Sequence, residues 1–513
     1  MTHALWTMPF TGENLLERLQ CHALENGSRP ALVSAEGQTV DYGTLWSVVV
    51  GIAVGLMGRG GKVGQRVFLV MDGSLASVLM VLGVMRLGGV AVLMDPGLTM
   101  TQWSGRLRDL SPEMIVAPRE ILEAIAHLPG EKGVALELSD QMVDRLVGDG
   151  VGETPPPFPV HDADILILAT TGTTGIAKYV TLTLGNISAS VHHINKTMGL
   201  MSSDIEVITL PLFHSFGLGR LRCGLSMGCR IHLLPGRFRP ERLLKEIQRC
   251  GASVFAQVPA GIRLLLVLGQ RVVPWLQSVR LVEIGSAPMK VEEKERLMAL
   301  MPQARLWHHY GLTEASRSLF LEYHQAQAMG CLNALGQPPV GVEVALRSES
   351  GEVVTHGVEE GELLVRGPHV TPGYVVSPGD RMAQCGGERL WFATGDWVQR
   401  DSLGYYHYSG RVDDCINLGG FKVYPSEVER ALATFPGVAD VAVFARDAGQ
   451  GMQIMALIQC DGLRPFDENK LRDWLQTRLE PYKHPQIYRL VDALPRTPSG
   501  KLLRRELPNL VGG

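Results

Sequence analysis

Short apolar runs rich in β-branched residues alternate with helix-like stretches along the N-terminal half of this chain. The runs that predict strands are residues 67–70, 90–93, 165–168, 207–210, 230–234, 253–257 and 279–284. Helical patterns lie between several of them, as at residues 240–250 and 291–301. Because strand–helix alternation is typical of parallel sheets covered by helices, the sequence predicts an α/β fold.

One segment has the apolar character of a membrane span. Residues 74–94 approach the length of about 20 residues that a transmembrane helix needs. However, Arg86 and the pair Gly88-Gly89 interrupt the segment, and Asp95-Pro96 follow it. We therefore predict a buried helix, a glycine turn and a buried strand at this position.

The pattern changes after about Gly336. Residues 342–346, 361–365 and 390–393 are predicted strands joined by glycine-rich turns, which favours an antiparallel or barrel-like part. The C-terminal region predicts a compact α/β unit, whose elements are helices at 425–434 and 467–479 and strands at 438–444 and 453–459.

Length and composition exclude several classes of protein. A chain of 513 residues is expected to hold about three domain-sized units. Its net charge of −4 argues against a broad nucleic-acid-binding surface. The eight cysteines include no Cys-x-x-Cys pair, which predicts free, mostly buried thiols in a reducing compartment and disfavours a zinc site. The N-terminus lacks a basic segment followed by an apolar run, so we expect no secretory signal and a cytoplasmic location.

The densest indication of a ligand site follows the predicted strand at 165–168. The segment reads Ala169-Thr170-Thr171-Gly172-Thr173-Thr174-Gly175-Ile176-Ala177-Lys178. Its two glycines let backbone N–H groups approach an anion, its threonines supply hydroxyl donors, and Lys178 supplies a positive charge. This combination suits a polyphosphate, although the spacing is not that of a P-loop. An ordinary polar turn after a strand is the alternative.

Three further segments carry polar residues that suit a nucleotide. They are Tyr310-Gly311-Leu312-Thr313-Glu314, then Thr394-Gly395-Asp396 followed by Gly410-Arg411-Val412-Asp413-Asp414, and finally Pro495-Arg496-Thr497-Pro498-Ser499-Gly500-Lys501-Leu502. A lone glutamate beside a threonine fits Mg²⁺, which takes hard oxygen ligands. An aspartate can accept hydrogen bonds from both ribose hydroxyls, and a flexible lysine is a mobile point charge. Taken singly, each segment has an ordinary structural explanation: a capped turn for the first, a common turn for the second and a solvated tail for the last.

In their order and spacing, the four segments resemble the adenylate-forming superfamily: acyl- and aryl-CoA synthetases, peptide-synthetase adenylation domains and firefly luciferase. The resemblance runs from about Asp41 to Lys501. The phosphate loop of this family usually has proline and glycine where this chain has Ala177 and Tyr179, whereas Lys178 is kept.

The resemblance implies binding of ATP and Mg²⁺ and a role for each segment. The phosphates would contact the loop residues Thr170, Thr171, Gly172, Thr173, Thr174, Gly175 and Lys178, with Thr174 and Glu314 as metal ligands. Thr313 would contact the α-phosphate, Tyr310 would stack on the adenine, and Gly311 beside it would belong to the same cofactor site. Asp396 would contact the ribose, and Arg411 the ribose or a phosphate. Gly285, Ser286 and Ala287 would form the loop on the adenine side, and Lys501 would bridge the attacking carboxylate and the α-phosphate.

The resemblance also implies two half-reactions and two domains. Residues 1–409 would form a large domain of two helix-covered sheets plus the barrel-like part, and residues 410–513 a small mobile α/β domain hinged near Asp413. A carboxylic acid would first be joined to AMP with release of pyrophosphate, and the acyl group would then pass to the thiol of coenzyme A. Gly419, Gly420 and Lys422 would line the channel for the phosphopantetheine arm, unless Lys422 is simply a solvated lysine beside a strand.

The segment Pro211 to Gly219 resembles the start of the acyl-binding helix of these enzymes. Members that activate α-amino acids usually carry an aspartate there, and none occurs between Pro211 and Leu225. We therefore predict a fatty or aryl acid without an α-amino group. His214 would gate the pocket or contact the carboxylate, the alternative being a histidine satisfied inside the domain.

Three other functions stay open on the sequence alone. The acceptor could be a stand-alone carrier protein loaded in trans, the chain could bind nucleotide and acyl group without catalysis, or the substrate could be an amino acid. We expect a small carboxylic acid and coenzyme A as partners, and neither nucleic acid nor a membrane span.

Overall fold

The computed structural model describes residues 14–128, 133–150, 152–171, 177–377, 380–381, 390–418, 421–447, 452–463, 466–496 and 502–511. The α-helices of this part of the chain are α1 (Leu15–Asn26), α2 (Tyr42–Gly58), α3 (Leu75–Leu87), α4 (Met100–Leu110), α5 (Arg119–Ile125), α6 (Asp140–Asp149), α7 (Leu184–Met198), α8 (Ser215–Met227), α9 (Pro240–Cys250), α10 (Pro259–Leu268), α11 (Val291–Leu300), α12 (Tyr323–Ala328), α13 (Pro425–Ala433) and α14 (Glu468–Gln476). Short 3₁₀ helices span Gly269–Trp275, Pro481–Lys483 and Arg504–Val511.

The β-strands of the described residues are β1 (Pro30–Val33), β2 (Thr39–Asp41), β3 (Arg66–Val70), β4 (Val90–Met94), β5 (Met114–Ala117), β6 (Val134–Glu137), β7 (Asp164–Thr171), β8 (Ala177–Thr183), β9 (Ile205–Ile208), β10 (Arg230–Leu233), β11 (Val254–Gln257), β12 (Leu281–Ile284), β13 (Arg305–Tyr310), β14 (Leu319–Glu322), β15 (Glu343–Arg347), β16 (Val353–Val354), β17 (Glu359–Arg366), β18 (Gly373–Ser377), β19 (Asp380–Arg381), β20 (Phe392–Arg400), β21 (Tyr406–Arg411), β22 (Ile416–Leu418), β23 (Phe421–Val423), β24 (Val438–Asp447), β25 (Met452–Cys460) and β26 (Ile487–Leu490).

Two eight-stranded sheets with helices between their strands confirm the α/β prediction. In the first sheet the strand order is β14-β13-β12-β11-β9-β10-β1-β2, and the six strands from β13 to β1 are parallel. The second sheet has the order β19-β18-β8-β7-β4-β3-β5-β6 and is parallel from β7 to β6. Beyond β7 it continues antiparallel through β8 and β18. The carboxyl ends of neighbouring parallel strands share one edge, which is where such sheets bind ligands.

The segment with membrane-like hydropathy folds as predicted. Ser74 caps α3 by accepting a hydrogen bond from the backbone N–H of Ser77 at 3.2 Å, and Gly88 ends it in the left-handed region at φ 82°. Every residue of α3 and of the following strand β4 is buried. Across the described ranges, no helix is both long and apolar enough to serve as a transmembrane segment.

The barrel-like part is a five-stranded sheet with the order β16-β15-β17-β20-β21. The strand predicted at 390–393 is β20, which instead begins at Phe392 and runs to Arg400. It is longer because Asp396, expected in a turn, pairs with Arg411 of the antiparallel strand β21. The C-terminal region has the predicted helices α13 and α14 and the predicted strands β24 and β25, to which β26, a strand that the sequence did not predict, adds to give a sheet in the order β24-β25-β26.

The described chain divides into two compact units. The first comprises residues 1–332, 338–343 and 365–392, and the second comprises residues 333–337, 344–364 and 393–513. Both large sheets belong to the first unit. The sequence-based boundary between residues 409 and 410 stays a prediction.

The cysteines are more exposed than predicted. Seven lie in the described residues as thiols rather than disulfides, but among them only Cys223, Cys229 and Cys331 are buried. The others are partly buried: Cys21 and Cys250 on helices, Cys460 at the end of β25 and Cys415 in the loop before β22.

Two buried histidines in the first unit make its stability sensitive to pH. The rings of His193 and His369 meet edge to face with centroids 5.1 Å apart. Within the described residues, His193 Nε2 and His369 Nδ1 are buried and have no hydrogen-bond partner. Burial lowers the pKa of both, that of His369 to about 3. Both are therefore neutral in the folded protein and protonate more readily once it unfolds.

We expect stability to fall as the pH drops from 7.5 to 5.5. A histidine whose pKa is lowered by folding costs about 1.4 kcal/mol per pH unit below its unfolded pKa of about 6.5. His369→Asn should flatten this dependence in urea titrations followed by tryptophan fluorescence. The exposed His127 provides the matched control, and a His127→Asn variant that flattens the profile equally would contradict the assignment.

Candidate active site

Two of the predicted site loops leave the same edge of the first sheet. Strands β12 and β13 are parallel neighbours, so their carboxyl ends lie side by side. Gly285-Ser286-Ala287 follow β12, and Gly311-Leu312-Thr313-Glu314 follow Tyr310, the last residue of β13. The structure therefore brings these two sequence segments together, as the nucleotide-binding prediction requires.

Close packing explains the glycines of both loops. A Cβ atom on Gly285 would lie 2.1 Å from His309 Cε1, and one on Gly311 would lie 2.3 Å from the backbone nitrogen of Arg317. Ser286, which directly follows Gly285, adopts φ 75°, a left-handed conformation that is rare for residues other than glycine. Such strained, tightly packed backbone is concentrated at ligand sites.

Glu314 is held by a residue that the sequence did not indicate. The Tyr374 hydroxyl donates a hydrogen bond to Glu314 Oε1 at 2.8 Å, although the two residues are 60 positions apart. The backbone N–H of Thr371 also donates to the carbonyl oxygen of Glu314 at 2.8 Å. Lys178 Nζ lies 5.5 Å from the centroid of the Tyr374 ring. We call Lys178, Tyr374 and Glu314 the Glu314 cluster.

The threonine-rich segment is part of a β-hairpin. Strands β7 and β8 pair antiparallel with Thr170 opposite Lys178, which places Lys178 near the open end of the hairpin. Tyr179, where the family usually has glycine, is buried and donates a hydrogen bond to Asp109 Oδ2 at 2.9 Å. Burial and this bond raise the pKa of Tyr179. Gly172, Thr173, Thr174 and Gly175, and the side chain of Thr171, lie outside the described residues.

A buried network of charges lies beneath both loops. Glu283 of β12 is fully buried, and its Oε1 lies 2.8 Å from Arg317 Nε and 2.7 Å from His309 Nδ1. Its Oε2 accepts a hydrogen bond from Arg220 of α8 at 3.0 Å. Burial opposes ionisation of Glu283, but the charge of Arg317 outweighs it and holds the pKa well below its usual range. This network fixes the residues that follow Glu314 and precede Gly285.

His214 lies at the start of α8, as the N-cap residue. Its side chain is exposed, so it is not a histidine satisfied inside the domain. Its ring centroid is 4.5 Å from that of Phe213, and desolvation by the surrounding protein lowers its pKa. An accessible but closely surrounded, neutral imidazole suits the wall of a cleft.

In the second unit, Asp396 is buried and paired with Arg411. Arg411 Nη1 donates to Asp396 Oδ1 at 3.0 Å and to the carbonyl oxygen of Thr394 at 2.8 Å. Gly395 between them has φ 73°, and a Cβ atom there would lie 2.7 Å from Arg411 Nη2. The two residues predicted to contact the ribose are therefore neighbours that position each other.

The remaining predicted site residues lie in or near the C-terminal region. Asp413 is exposed in a turn after β21. Lys422 of β23 is exposed, is paired with Glu349 at 2.6 Å and lies 5.6 Å from the centroid of the Trp397 ring, so both alternatives for this lysine stay open. Gly419, Gly420 and Lys501 lie outside the described residues.

Comparison with known families assigns the chain. The family described as AMP-binding enzyme matches residues 19–375, and the AMP-binding enzyme C-terminal domain matches residues 427–501. This chain belongs to the AMP-binding enzyme family. The protein is therefore an adenylate-forming enzyme of the acid–thiol ligase type, which confirms the predicted superfamily and enzyme class.

Curated relatives and solved structures match over nearly the full length. A feruloyl-CoA synthase from Amycolatopsis sp is 28% identical over 93% of this chain and 95% of its own length. An oxalate–CoA ligase from Arabidopsis thaliana is 30% identical over 86% of this chain and 88% of its own. The structure of O-succinylbenzoate coenzyme A synthetase from Bacillus subtilis in complex with ATP and magnesium ion matches with a TM-score of 0.83 and 26% identity, covering 96% of this chain and 99% of that one.

Proposed function

We propose that this enzyme joins a small carboxylic acid to AMP at the Glu314 cluster and then transfers the acyl group to coenzyme A. The observation that carries the proposal is the contact series from Lys178 through Tyr374 to Glu314. It brings an ammonium, a phenol and a carboxylate to the loops that leave the carboxyl edge of the first sheet. The relatives named above, which are CoA ligases, support coenzyme A as the acceptor.

The chemistry of the first step explains why these groups are needed. A free carboxylate acylates poorly because its leaving group would be oxide. Attack of a carboxylate oxygen on the α-phosphorus of ATP forms the acyl-AMP anhydride, and the bond to pyrophosphate breaks. Negative charge builds on the phosphate oxygens in this step, and preorganised positive charge lowers its barrier. Lys178 would supply such a charge to the departing phosphates.

The residues present fit a magnesium ion. Glu314 offers a carboxylate oxygen and Thr313 a hydroxyl oxygen beside it, and hard oxygen ligands are those that Mg²⁺ prefers. The hydrogen bond from Tyr374 engages Glu314 Oε1 and so fixes the orientation of the carboxylate. Bound with ATP, the ion would offset the charge of the phosphates.

We extend the proposal to the other predicted site residues. Tyr310 and the Gly285–Ala287 loop would contact the adenine, and Asp396 with Arg411 the ribose. Lys501 would act in adenylation, while Gly419, Gly420 and Lys422 would act in thioester formation, with Asp413 as the hinge residue. The acid would be fatty or aryl and lack an α-amino group, since the His214 segment carries no aspartate.

Acid-dependent exchange of pyrophosphate into ATP tests the function directly. Fatty, aryl and amino acids are assayed singly, and each active acid is then incubated with coenzyme A or with a phosphopantetheinylated carrier protein. We expect exchange with at least one acid and a thioester with coenzyme A. A thioester on the carrier alone would change the acceptor, and exchange with amino acids alone would change the substrate. No exchange with any acid would leave a non-catalytic binding protein.

Asp396→Asn should weaken ATP binding about tenfold, because hydrogen bonds to a charged acceptor contribute roughly 1.5–3 kcal/mol. Asparagine keeps the side-chain volume and can still accept from Arg411, so the fold should persist. Isothermal titration with a non-hydrolysable ATP analogue measures the effect. Asp473→Asn, at an exposed position of α14, is the matched control, and unchanged affinity in the Asp396 variant would refute the ribose assignment.

A further inference from the structure

Arg222 of α8 is a buried cation whose guanidinium has unpaired N–H groups among the described residues. Only 3% of the Arg222 surface is exposed to solvent. Within the described residues, its Nε and Nη1 atoms are buried and make no hydrogen bond. Buried charges in proteins are normally paired, because desolvating an unpaired charge is costly. A bound anion would therefore stabilise the guanidinium of Arg222.

Two other buried arginines, Arg220 and Arg317, are paired with carboxylates. Arg220 donates to Glu206 through Nε at 2.7 Å and Nη2 at 2.8 Å, and to Glu283 through Nη1 at 3.0 Å. Arg317 donates to Glu283 through Nε at 2.8 Å. The two carboxylates are thus already engaged by two arginines.

Counting the charges leaves one positive charge in excess. The guanidiniums of Arg220, Arg222 and Arg317 are three, the carboxylates of Glu206 and Glu283 are two, and three minus two leaves one. Burial keeps the adjacent His309 neutral by lowering its pKa, so it does not alter the count. Burial, with the nearby charge of Arg317, lowers the pKa of Arg222 to about 10, so Arg222 is still charged at neutral pH.

The excess charge belongs to the same part of the first unit as the candidate active site. Arg317 follows Glu314 by three positions and donates from Nη2 to the carbonyl oxygen of Phe216 near the start of α8. Along α8, Arg222 follows His214 by eight positions, which corresponds to about 12 Å at a rise of about 1.5 Å per residue. An acid that reaches from His214 to Arg222 must therefore span about that distance.

We propose that Arg222 binds a second, non-reacting carboxylate of the acid, so that the substrate class is a dicarboxylic acid or an aryl acid with a carboxylate side arm. This inference rests on the proposed acid activation. The diacid would enter with one carboxylate for AMP and one for Arg222, which completes the pairing of the buried network. An inorganic anion such as chloride has the same charge and could satisfy Arg222 without any role in substrate choice.

Matched substrates separate these cases. Straight-chain diacids of four to ten carbons, phthalic-type aryl diacids and the monomethyl ester of each are assayed for coenzyme A thioester formation. We expect kcat/KM for the best diacid to exceed that of its monoester by about 10- to 100-fold, the range for one charge-assisted hydrogen-bond pair. Arg222→Met should abolish this preference by slowing the diacid and leaving the monoester unchanged. Arg119→Met, at an exposed pair on α5, should keep the preference.

Thermal unfolding provides a readout that does not depend on catalysis. The ligand-free Arg222→Met protein should melt at the wild-type temperature or above it, because an uncompensated buried charge has been replaced by an apolar side chain. The best diacid should raise the melting temperature of the wild type but not of the variant. A variant that melts lower would show a structural role, and stabilisation of the wild type by chloride alone would show an inorganic anion site. Either result would overturn the inference, and so would equal use of diacids and monoesters. The proposed function, by contrast, would be overturned only if no acid were activated.

Discussion

Lys501→Ala should slow adenylate formation by about 1,000-fold, the upper range for removing one preorganised charge from a transition state. We propose that Lys501 bridges the attacking carboxylate and the α-phosphate, so that its ammonium is needed only while the acyl–phosphate bond forms. Thioester formation from preformed acyl-AMP and coenzyme A should change less than about threefold, because we propose that Lys501 acts in adenylation, whereas Gly419, Gly420 and Lys422 act in the second step. Single-turnover kinetics of the two half-reactions measure both values.

Lys470→Ala is the matched control for this comparison. Lys470 lies in α14 of the C-terminal region, its side chain is exposed, and it is paired with Asp467 at 3.3 Å. Both half-reactions should proceed at the wild-type rate in this variant. Equal losses in the two half-reactions of the Lys501 variant would contradict a role confined to adenylation.

Glu314→Gln should reduce adenylation by about 100-fold and raise the magnesium concentration required for half-maximal rate. Glutamine has nearly the volume of glutamate and can still accept the hydrogen bond from Tyr374, so the loop should keep its conformation. What is lost is the negative charge that would hold the metal ion. Rates measured across a magnesium titration separate the loss of ion binding from a loss of folding.

Tyr374→Phe tests whether the hydrogen bond to Glu314 matters in itself. It removes one hydroxyl and keeps the ring near Lys178, so we expect a loss of about fivefold, equivalent to roughly 1 kcal/mol. The double variant should lose less than the product of the two single effects, because the partners act through one contact. Glu120→Gln, at an exposed position of α5, should be silent. Strictly multiplicative losses would show that Tyr374 and Glu314 act independently.

Local patterns in the sequence determined most of the fold. Residues 240–250 were predicted as a helix and form α9 with the same bounds, since its apolar positions recur at helical spacing and Pro240 and Gly251 stand at its ends. Interruption of the segment at 74–94 by Arg86 and Gly88 likewise identified α3 and β4. Patterns were less informative for β20, because strand pairing with β21 overrode the turn-like Thr394-Gly395-Asp396.

The order of short motifs, each weak alone, also determined the family and predicted Lys178, Glu314 and Asp396 as site residues. Tertiary structure alone decided what surrounds them. Tyr374 reaches Glu314 across 60 positions, and Arg220, Glu283 and Arg317 meet from a helix, a strand and a loop. Arg222 looks the same as Arg220 in the sequence, yet one is paired and the other is not. Motifs record residues that are near each other along the chain, whereas buried charges are balanced by whatever the fold brings within hydrogen-bonding distance, and no local pattern carries that information.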